Sequence, residues 1–132
     1  PTNVLAGQAA ARLLMEDNQL FITSQTIVEF WVVATRPTNV NGLGWEIERT
    51  QTEIEQILNQ FPQLPETPQI FSHWWDLVTR YQLKGKRVHD ARLVAVMLAH
   101  QVTHLLTFNP DDFATIEEIS VTTPQKITDV QN

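Results

Sequence analysis

The stretch VHDARLVAVMLAHQVTHLLTFNPDDF, residues 88–113, contains the unit from which the fold can be read. Its first part, about 88–101, is apolar on nearly every side from Leu93 to Ala99, the pattern of a central helix covered all round. THLLTF, residues 103–108, is short, apolar and β-prone, which predicts a buried strand. A basic turn, 84–87, precedes this unit. Before that, residues 68–81 put Ile70, Phe71, Trp74, Leu77 and Val78 on one helical face, and 45–61 repeat apolar residues at helical spacing. Prolines 62, 65 and 68 mark the bend between these two helices, and the glycines and asparagines of TNVNGLGW, 38–45, mark a loop. Further back, QLFIT (19–23) reads as a second buried strand, and Ser24 is positioned to cap a helix over 25–35 that Pro37 stops. The Ala- and Leu-rich run 6–17 reads as a helix. Downstream, ISVT (119–122) reads as a third strand. Short apolar strands alternating with helices predict a parallel sheet with helices on both faces.

The 132 residues amount to one domain's worth of core. Hydrophobic residues make up 42% and charged residues 18%, which is globular rather than disordered composition. With no cysteine, the chain has no disulfide scaffold, thiolate metal site or cysteine nucleophile. Nine Lys and Arg against fifteen Asp and Glu give a formal charge of −6, unsuited to gripping duplex nucleic acid with the whole surface. A local basic patch or a carboxylate cluster holding a metal remains compatible with that balance. No apolar run approaches the ~20 residues needed to span a bilayer, so the expectation is a soluble, cytoplasmic single domain with no membrane partner. P-loop, dinucleotide-binding and nucleophile-elbow motifs are absent from the sequence.

The acidic residues separate into costly and ordinary positions. Glu29 is the only charged residue in TIVEFWVVAT (26–35), where an unpartnered buried carboxylate would cost several kcal/mol. The competing reading is a narrow solvated face shared with Gln25 and Arg36. Asp90 is expected in the first turn of the apolar helix, where the macrodipole alone would stabilise it. Asn109, Asp111 and Asp112 follow the strand 103–108, near the strand end where α/β sheets bind ligands, although N-P-D-D is also an ordinary turn. Taken together, acids beside strand ends and helix starts are suited to a hard cation. His100 and His104 are four apart but fall on a helix end and a strand, which disfavours a zinc pair. Trp74 and Trp75 point different ways, one of them into the core. Lys84, Lys86, Arg87 and Arg92, with Arg80, form the one concentration of positive charge.

TNVL (2–5), EFWVVATRP (29–37), NGLG (41–44), KGKRVHDARLVAVMLAH (84–100) and LLTFNPDDF (105–113) resemble PIN-domain proteins, in the right order over nearly the whole chain. The likeness is to VapC-type ribonuclease toxins of toxin–antitoxin pairs. It implies a three-layer α/β/α sandwich on a central, mainly parallel sheet. It further implies a Mg²⁺- or Mn²⁺-dependent endoribonuclease, a homodimer, and inhibition by a cognate antitoxin protein. By this resemblance Glu29 matches the family's helix glutamate, Asp90 the aspartate of its H-D-A segment, and Asp112 the aspartate before its final phenylalanine. All three are thereby implied as catalytic metal ligands. Thr2, Asn3, Thr107 and Asn109 would support the site, and Arg36, Lys86 and Arg87 are candidates for contacting RNA phosphates. The family motif D-T-N-V-L begins with a metal-ligating aspartate, whereas here Pro1 stands in that position and offers no side-chain oxygen. A first strand before Pro1 and part of the loop after Leu5 are therefore expected but absent from this sequence, through either an incomplete chain or a degenerate one.

The chemistry implied is hydrolysis of an RNA phosphodiester. Crowded carboxylates repel one another, and a divalent cation relieves that repulsion while activating water. One alternative is a non-catalytic PIN-like domain that binds RNA or protein after losing its first metal ligand. Another is an α/β metal-binding domain of a different kind, such as a phosphatase or a signalling receiver. A receiver, however, needs a strand-ending aspartate and a strand-ending lysine that the sequence does not offer.

Overall fold

The computed structural model describes residues 13–16, 19–107 and 109–123. Four strands, β1 (Leu13–Glu16), β2 (Gln19–Phe21), β3 (His104–Leu106) and β4 (Ser120–Thr122), form one sheet in the order β2-β1-β3-β4. The helices are α1 (Ser24–Thr35), α2 (Ile47–Gln60), α3 (Gln69–Arg80) and α4 (Lys86–Ala99). Successive strand residues face opposite sides, and Leu105 and Leu106 show the consequence. Leu105 joins Leu14 and residues of α3 and α4, including Ile70, Leu77, Leu93 and Met97. Leu106 joins Ile22, Phe30 and Ala34 near or on α1, and Ile54 and Ile57 of α2. Helices therefore cover both faces of the sheet, giving the α/β three-layer arrangement. The register agrees with this division: Leu14 lies opposite both Phe21 and Leu105, and Leu105 opposite Val121, all packed on the α3–α4 side.

β3 and β4 are parallel, and β2 runs in their direction, because both β2 and β3 are antiparallel to β1. β1 corrects the expectation of a helix over 6–17: residues 13–16 are a strand, and the rest of that run lies outside the described residues. Tertiary pairing has overridden the helical preference of a Leu-rich segment, since this strand fills the position between β2 and β3 and buries Leu14 completely. Its opposed direction follows from chain length, because the two residues between Glu16 and Gln19 can join only antiparallel strands.

The cap of α1 also moves by one residue. Thr23, not Ser24, is the N-cap, and its Oγ1 accepts the Thr26 N–H at 3.1 Å. At the other end, the loop predicted over 38–45 folds back onto the helix. The N–H groups of Arg36, Leu43 and Trp45 donate to the carbonyls of Val32, Val33 and Ala34, and that of Gly44 donates to Arg36. Helix-end carbonyls that would otherwise lack partners are thus satisfied by the chain itself. The fold-back needs a glycine at 42, where a Cβ would lie 1.9 Å from the Arg36 carbonyl oxygen. Trp45 then packs edge-on against Phe30, with ring centroids 5.8 Å apart, which ties the loop to the core.

A polar strap fastens the opposite side. The Tyr81 hydroxyl, at the end of α3, donates to Glu118 Oε1 at 2.6 Å and accepts the Glu117 N–H at 3.2 Å. Arg80 also pairs with Glu118. Partial burial would raise the Glu118 carboxyl, but the Tyr81 and Arg80 hydrogen bonds outweigh it and hold the group below its ordinary range.

Three outcomes are expected from unfolding experiments. Leu105→Ala should lower the stability measured in urea by about 2–5 kcal/mol, as for a fully buried leucine. Gly42→Ala should cost about 1–3 kcal/mol, because the backbone it meets must move. The contribution of Glu118 is complete above the ordinary glutamate value of about 4.3 and is lost as the pH falls through the lower folded value. Glu118→Gln should therefore flatten the acid limb of a stability–pH curve, by less than about 1 kcal/mol for so solvated a group.

Candidate functional site

Two of the acidic residues singled out in the sequence, Glu29 and Asp112, are tied through intermediate side chains to the first two turns of α4, the helix that carries Asp90. This helix begins at Lys86, earlier than the expected start near Val88. Gly85 adopts φ 58°, and the Arg87 and Val88 N–H groups bond to the carbonyls of Lys84 and Gly85, so the first turn is built from the basic residues. Asp90 consequently lies in the second turn and not the first, and stabilisation as a first-turn acid does not describe it. It is 1% exposed, on a helix whose residues Leu93 to Met97 are all fully buried. Helical spacing puts Lys86 and Arg87, four and three residues earlier, on the same face as Asp90.

Glu29 is brought to this point by Gln25. One turn earlier on α1, Gln25 donates from Nε2 to the His89 carbonyl at 2.8 Å and to Glu29 Oε1 at 3.2 Å. A single side chain thus ties α1 to the residue before Asp90 and orients the Glu29 carboxylate. Glu29 is partly buried, and its face includes Gln25 as the sequence suggested, but Arg36 serves elsewhere. The Arg36 guanidinium donates from Nη2 to the Asn41 carbonyl at 3.1 Å, within the loop that closes α1.

Asp112 arrives from the opposite side. β3 leads through Thr107, fully buried, into a short 3₁₀ turn, Pro110–Phe113, anchored by the buried Phe113. The Thr107 N–H donates to Thr122, and its Oγ1 accepts the Asn109 N–H at 3.1 Å, which fixes the start of the acidic turn. The Asn109 side chain makes no capping bond, contrary to the capping use that N-P-D-D suggests; its backbone makes the local contact instead. Lys86 Nζ lies 3.4 Å from one Asp112 carboxylate oxygen and Arg87 Nη1 3.8 Å from the other. Arg87 also donates to the Asp111 carbonyl at 3.2 Å. Two of the three cations considered for RNA phosphates therefore pair with an acid of the candidate site.

Glu29 is thus tied to the N-terminal turns of α4 by Gln25, and Asp112 by Lys86 and Arg87. Among the described residues, no group of three or more His, Cys, Asp or Glu side chains is gathered closely enough to hold a metal ion. The donors nevertheless fit a hard divalent cation in kind, being all carboxylate oxygens. Thr2 and Asn3 lie outside the described residues. Gln25 is the functional candidate that sequence reasoning placed only on a solvated face; its signal was the spacing of four from Glu29. His100 and His104 are engaged separately, His100 with the Pro65 carbonyl at 2.7 Å and His104 with the adjacent Thr103 Oγ1 at 2.8 Å. Trp74 is the half-buried tryptophan of its pair and donates from Nε1 to the Val88 carbonyl at 2.8 Å, while Trp75 is exposed.

The sequence matches the profile of the PIN domain over residues 6–119. Among solved structures, it is similar to a chain of VapBC-1 from nontypeable Haemophilus influenzae, with TM-score 0.61 and 18% identity over 92% of this chain and 84% of that one. It is likewise similar to a chain of VapBC2 from Rickettsia felis bound to a DNA fragment from their promoter, with TM-score 0.64 and 16% identity over 92% of this chain and 83% of that one. At these identities the likeness is one of fold. No curated protein matches the sequence. Among the described residues, no helix is long and apolar enough to cross a membrane.

The bridge through Gln25 has a measurable consequence. Gln25→Ala should destabilise the chain by about 0.5–1.5 kcal/mol, the ordinary worth of such a hydrogen bond. It should also speed amide exchange in the first two turns of α4 more than at the distant Tyr81–Glu118 strap.

Proposed function

Because the chain belongs to the PIN domain family, we propose that it is a metal-dependent endoribonuclease that hydrolyses RNA phosphodiester bonds, the VapC-type toxin of a toxin–antitoxin pair. The supporting observation is that Glu29, through Gln25, and Asp112, through Lys86 and Arg87, are each tied to the first two turns of α4, the helix that carries Asp90. In this reading the three carboxylates hold Mg²⁺ or Mn²⁺. Such an ion, when bound, lowers the pKa of water and neutralises charge on phosphoryl oxygens.

The remaining steps belong to the chain's own residues. Gln25 keeps Glu29 turned toward the α4 end, and the burial of Asp90 excludes water from one side of the site. Thr107 and Asn109 hold the acidic turn in register with β3. Lys86 and Arg87 balance Asp112 and supply positive charge for RNA phosphates; Arg36 is a weaker candidate, given its work in the loop after α1. Thr2 and Asn3 are proposed as polar support by family likeness. In the reaction, a water oxygen bonds to phosphorus while the bond to the leaving ribose oxygen breaks, and that oxygen takes up a proton. The helix N-terminus, with its partial positive charge, favours the phosphate here.

The same reading gives the protein a cytoplasmic location, a homodimeric state and a cognate antitoxin. The structural neighbours are VapBC proteins, one of them bound to promoter DNA, which supports an antitoxin partner. A second reading, a PIN-like domain that binds RNA or protein without cutting, is favoured by one observation: the described residues do not gather three metal-binding side chains.

Cleavage of a fluorescently labelled single-stranded RNA by the full-length protein, with and without Mn²⁺, separates the two. The expected outcome is metal-dependent cleavage that falls by about 100-fold or more in Asp90→Asn and in Glu29→Gln, since even outer partners of metal sites cost 10–100-fold. Unchanged metal-dependent cleavage in both variants would remove these residues from the site. Absence of both cleavage and Mn²⁺ binding in the unaltered protein would select the non-catalytic reading.

A further inference from the structure

Asp112 meets a cation at each carboxylate oxygen, Lys86 Nζ 3.4 Å from Oδ2 and Arg87 Nη1 3.8 Å from Oδ1. We propose that this contact is a latch on Asp112. The phosphates of a nucleic-acid strand draw the two cations away, and the carboxylate is then free to take a divalent ion, so that strand and ion bind cooperatively. The inference deepens the ribonuclease reading and rests on it for the roles of Asp112 and of the polymer.

The placement of the two cations is the first observation. They open α4 directly after Gly85, at a helix start with no acid in its first turn and no side-chain cap. Positive charge at a helix N-terminus works against the helix dipole. A start that served stability alone would carry Ser, Thr, Asp or Asn at the cap and acids just inside it. Here the negative charge comes instead from the turn after β3, through Asp112.

The second observation is which partner is fixed. Both contacts are longer than the Arg80–Asp76 and Arg92–Glu66 pairs, at 2.9 and 2.5 Å. The Lys86 and Arg87 side chains are 70% and 46% exposed, so water replaces Asp112 at little cost when they turn outward. The Asp112 side chain is only 20% exposed, and its turn is anchored by the fully buried Phe113. The carboxylate is therefore the fixed member and the cations are the movable ones. Arg87 is also held by the Asp111 carbonyl at 3.2 Å, which makes Lys86 the first to be released.

Charge makes the two states exclusive. With both oxygens engaged, a divalent ion taking either one meets a like charge already in contact with it. Phosphate oxygens offer Lys and Arg the same charge-assisted pairing that Asp112 gives them. A strand that holds the cations open thus favours the ion, and by linkage each ligand raises the affinity of the other by the same factor.

The test measures Mn²⁺ binding to the full-length protein by calorimetry and by the paramagnetic resonance of free Mn²⁺. Each titration is run with and without an eight-nucleotide single strand of DNA, which supplies backbone phosphates. The strand should tighten Mn²⁺ binding by about 5–150-fold, the usual range for coupled sites. In the Lys86→Met, Arg87→Met double variant, Mn²⁺ affinity without the strand should rise by about fivefold or more, and the effect of the strand should shrink to match. Lys86→Met alone should shift affinity in the same direction by less. Exchanging the two residues, Lys86→Arg with Arg87→Lys, keeps both charges and should restore the native values. Lys84→Met removes one charge two residues earlier and should leave Mn²⁺ affinity unchanged. All these side chains are exposed, and circular dichroism verifies that the variants fold.

Unchanged or weaker Mn²⁺ binding in the double variant overturns the proposal. An equal rise in Lys84→Met does the same, since the effect would then be one of overall charge. The latch and the nuclease fail separately. Metal-dependent RNA cleavage with Mn²⁺ affinity indifferent to Lys86 and Arg87 removes the latch alone. The affinity rise without RNA cleavage keeps the latch and removes the nuclease, and absence of Mn²⁺ binding in every variant removes both.

Discussion

The alternation of Leu105 and Leu106 on β3 is the constraint from which the other elements follow. Two adjacent large apolar side chains on one strand must face opposite sides, and each loses its stabilisation unless a helix layer covers it. That requirement brings α3 and α4 to one face and α1 and α2 to the other. It also sets which ends of the helices meet. α1 reaches the start of α4 through Gln25, and the turn after β3 reaches it through Asp112, so these meetings are a by-product of covering both sides of one short strand.

The position of Asp90 shows how the site is held. A carboxylate 1% exposed is a costly choice, since burial takes it out of water and leaves it dependent on the groups that surround it. An alanine there would suit the packing of α4 without that cost. The surroundings are correspondingly polar at this one end of the helix: Lys86 and Arg87 one turn away, Gln25 on the adjoining carbonyl, and Asp112 beyond the cations. Most of the remaining helix is apolar. Along this single element the apolar and polar residues are separated, with the polar groups confined to its N-terminal turns.

Much of the fold could be read along the chain because its signals are local. The apolar periodicity of 45–61 and 68–81 marks α2 and α3 to within two residues at each end, and Pro37 and the glycines at 42 and 44 mark the loop that closes α1. Where the reading failed, a non-local contact had the last word. Residues 13–16 have helical composition but form β1, because a gap between β2 and β3 rewards two ladders of hydrogen bonds. Asp90 moved from the first turn to the second because Gly85 starts α4 among the basic residues. Arg36, a plausible phosphate ligand in sequence, is taken up by the loop that folds back on it.

By itself the sequence determined the α/β class, the helices and the loop between α1 and α2, because periodicity, propensity and turn chemistry act over a few residues. The motifs from Glu29 to Asp112 also determined the family, since their order and spacing survive without coordinates. Only the tertiary structure decided the insertion of β1 between β2 and β3, the pairing of Lys86 and Arg87 with Asp112, the bridge made by Gln25, and the aromatic cavity between α3 and α4. The pairings and the bridge join residues 25 to 64 positions apart, and the others depend on which strands and helix faces meet. Such meetings are set by the packing of both core layers on β3, which no local stretch of sequence records.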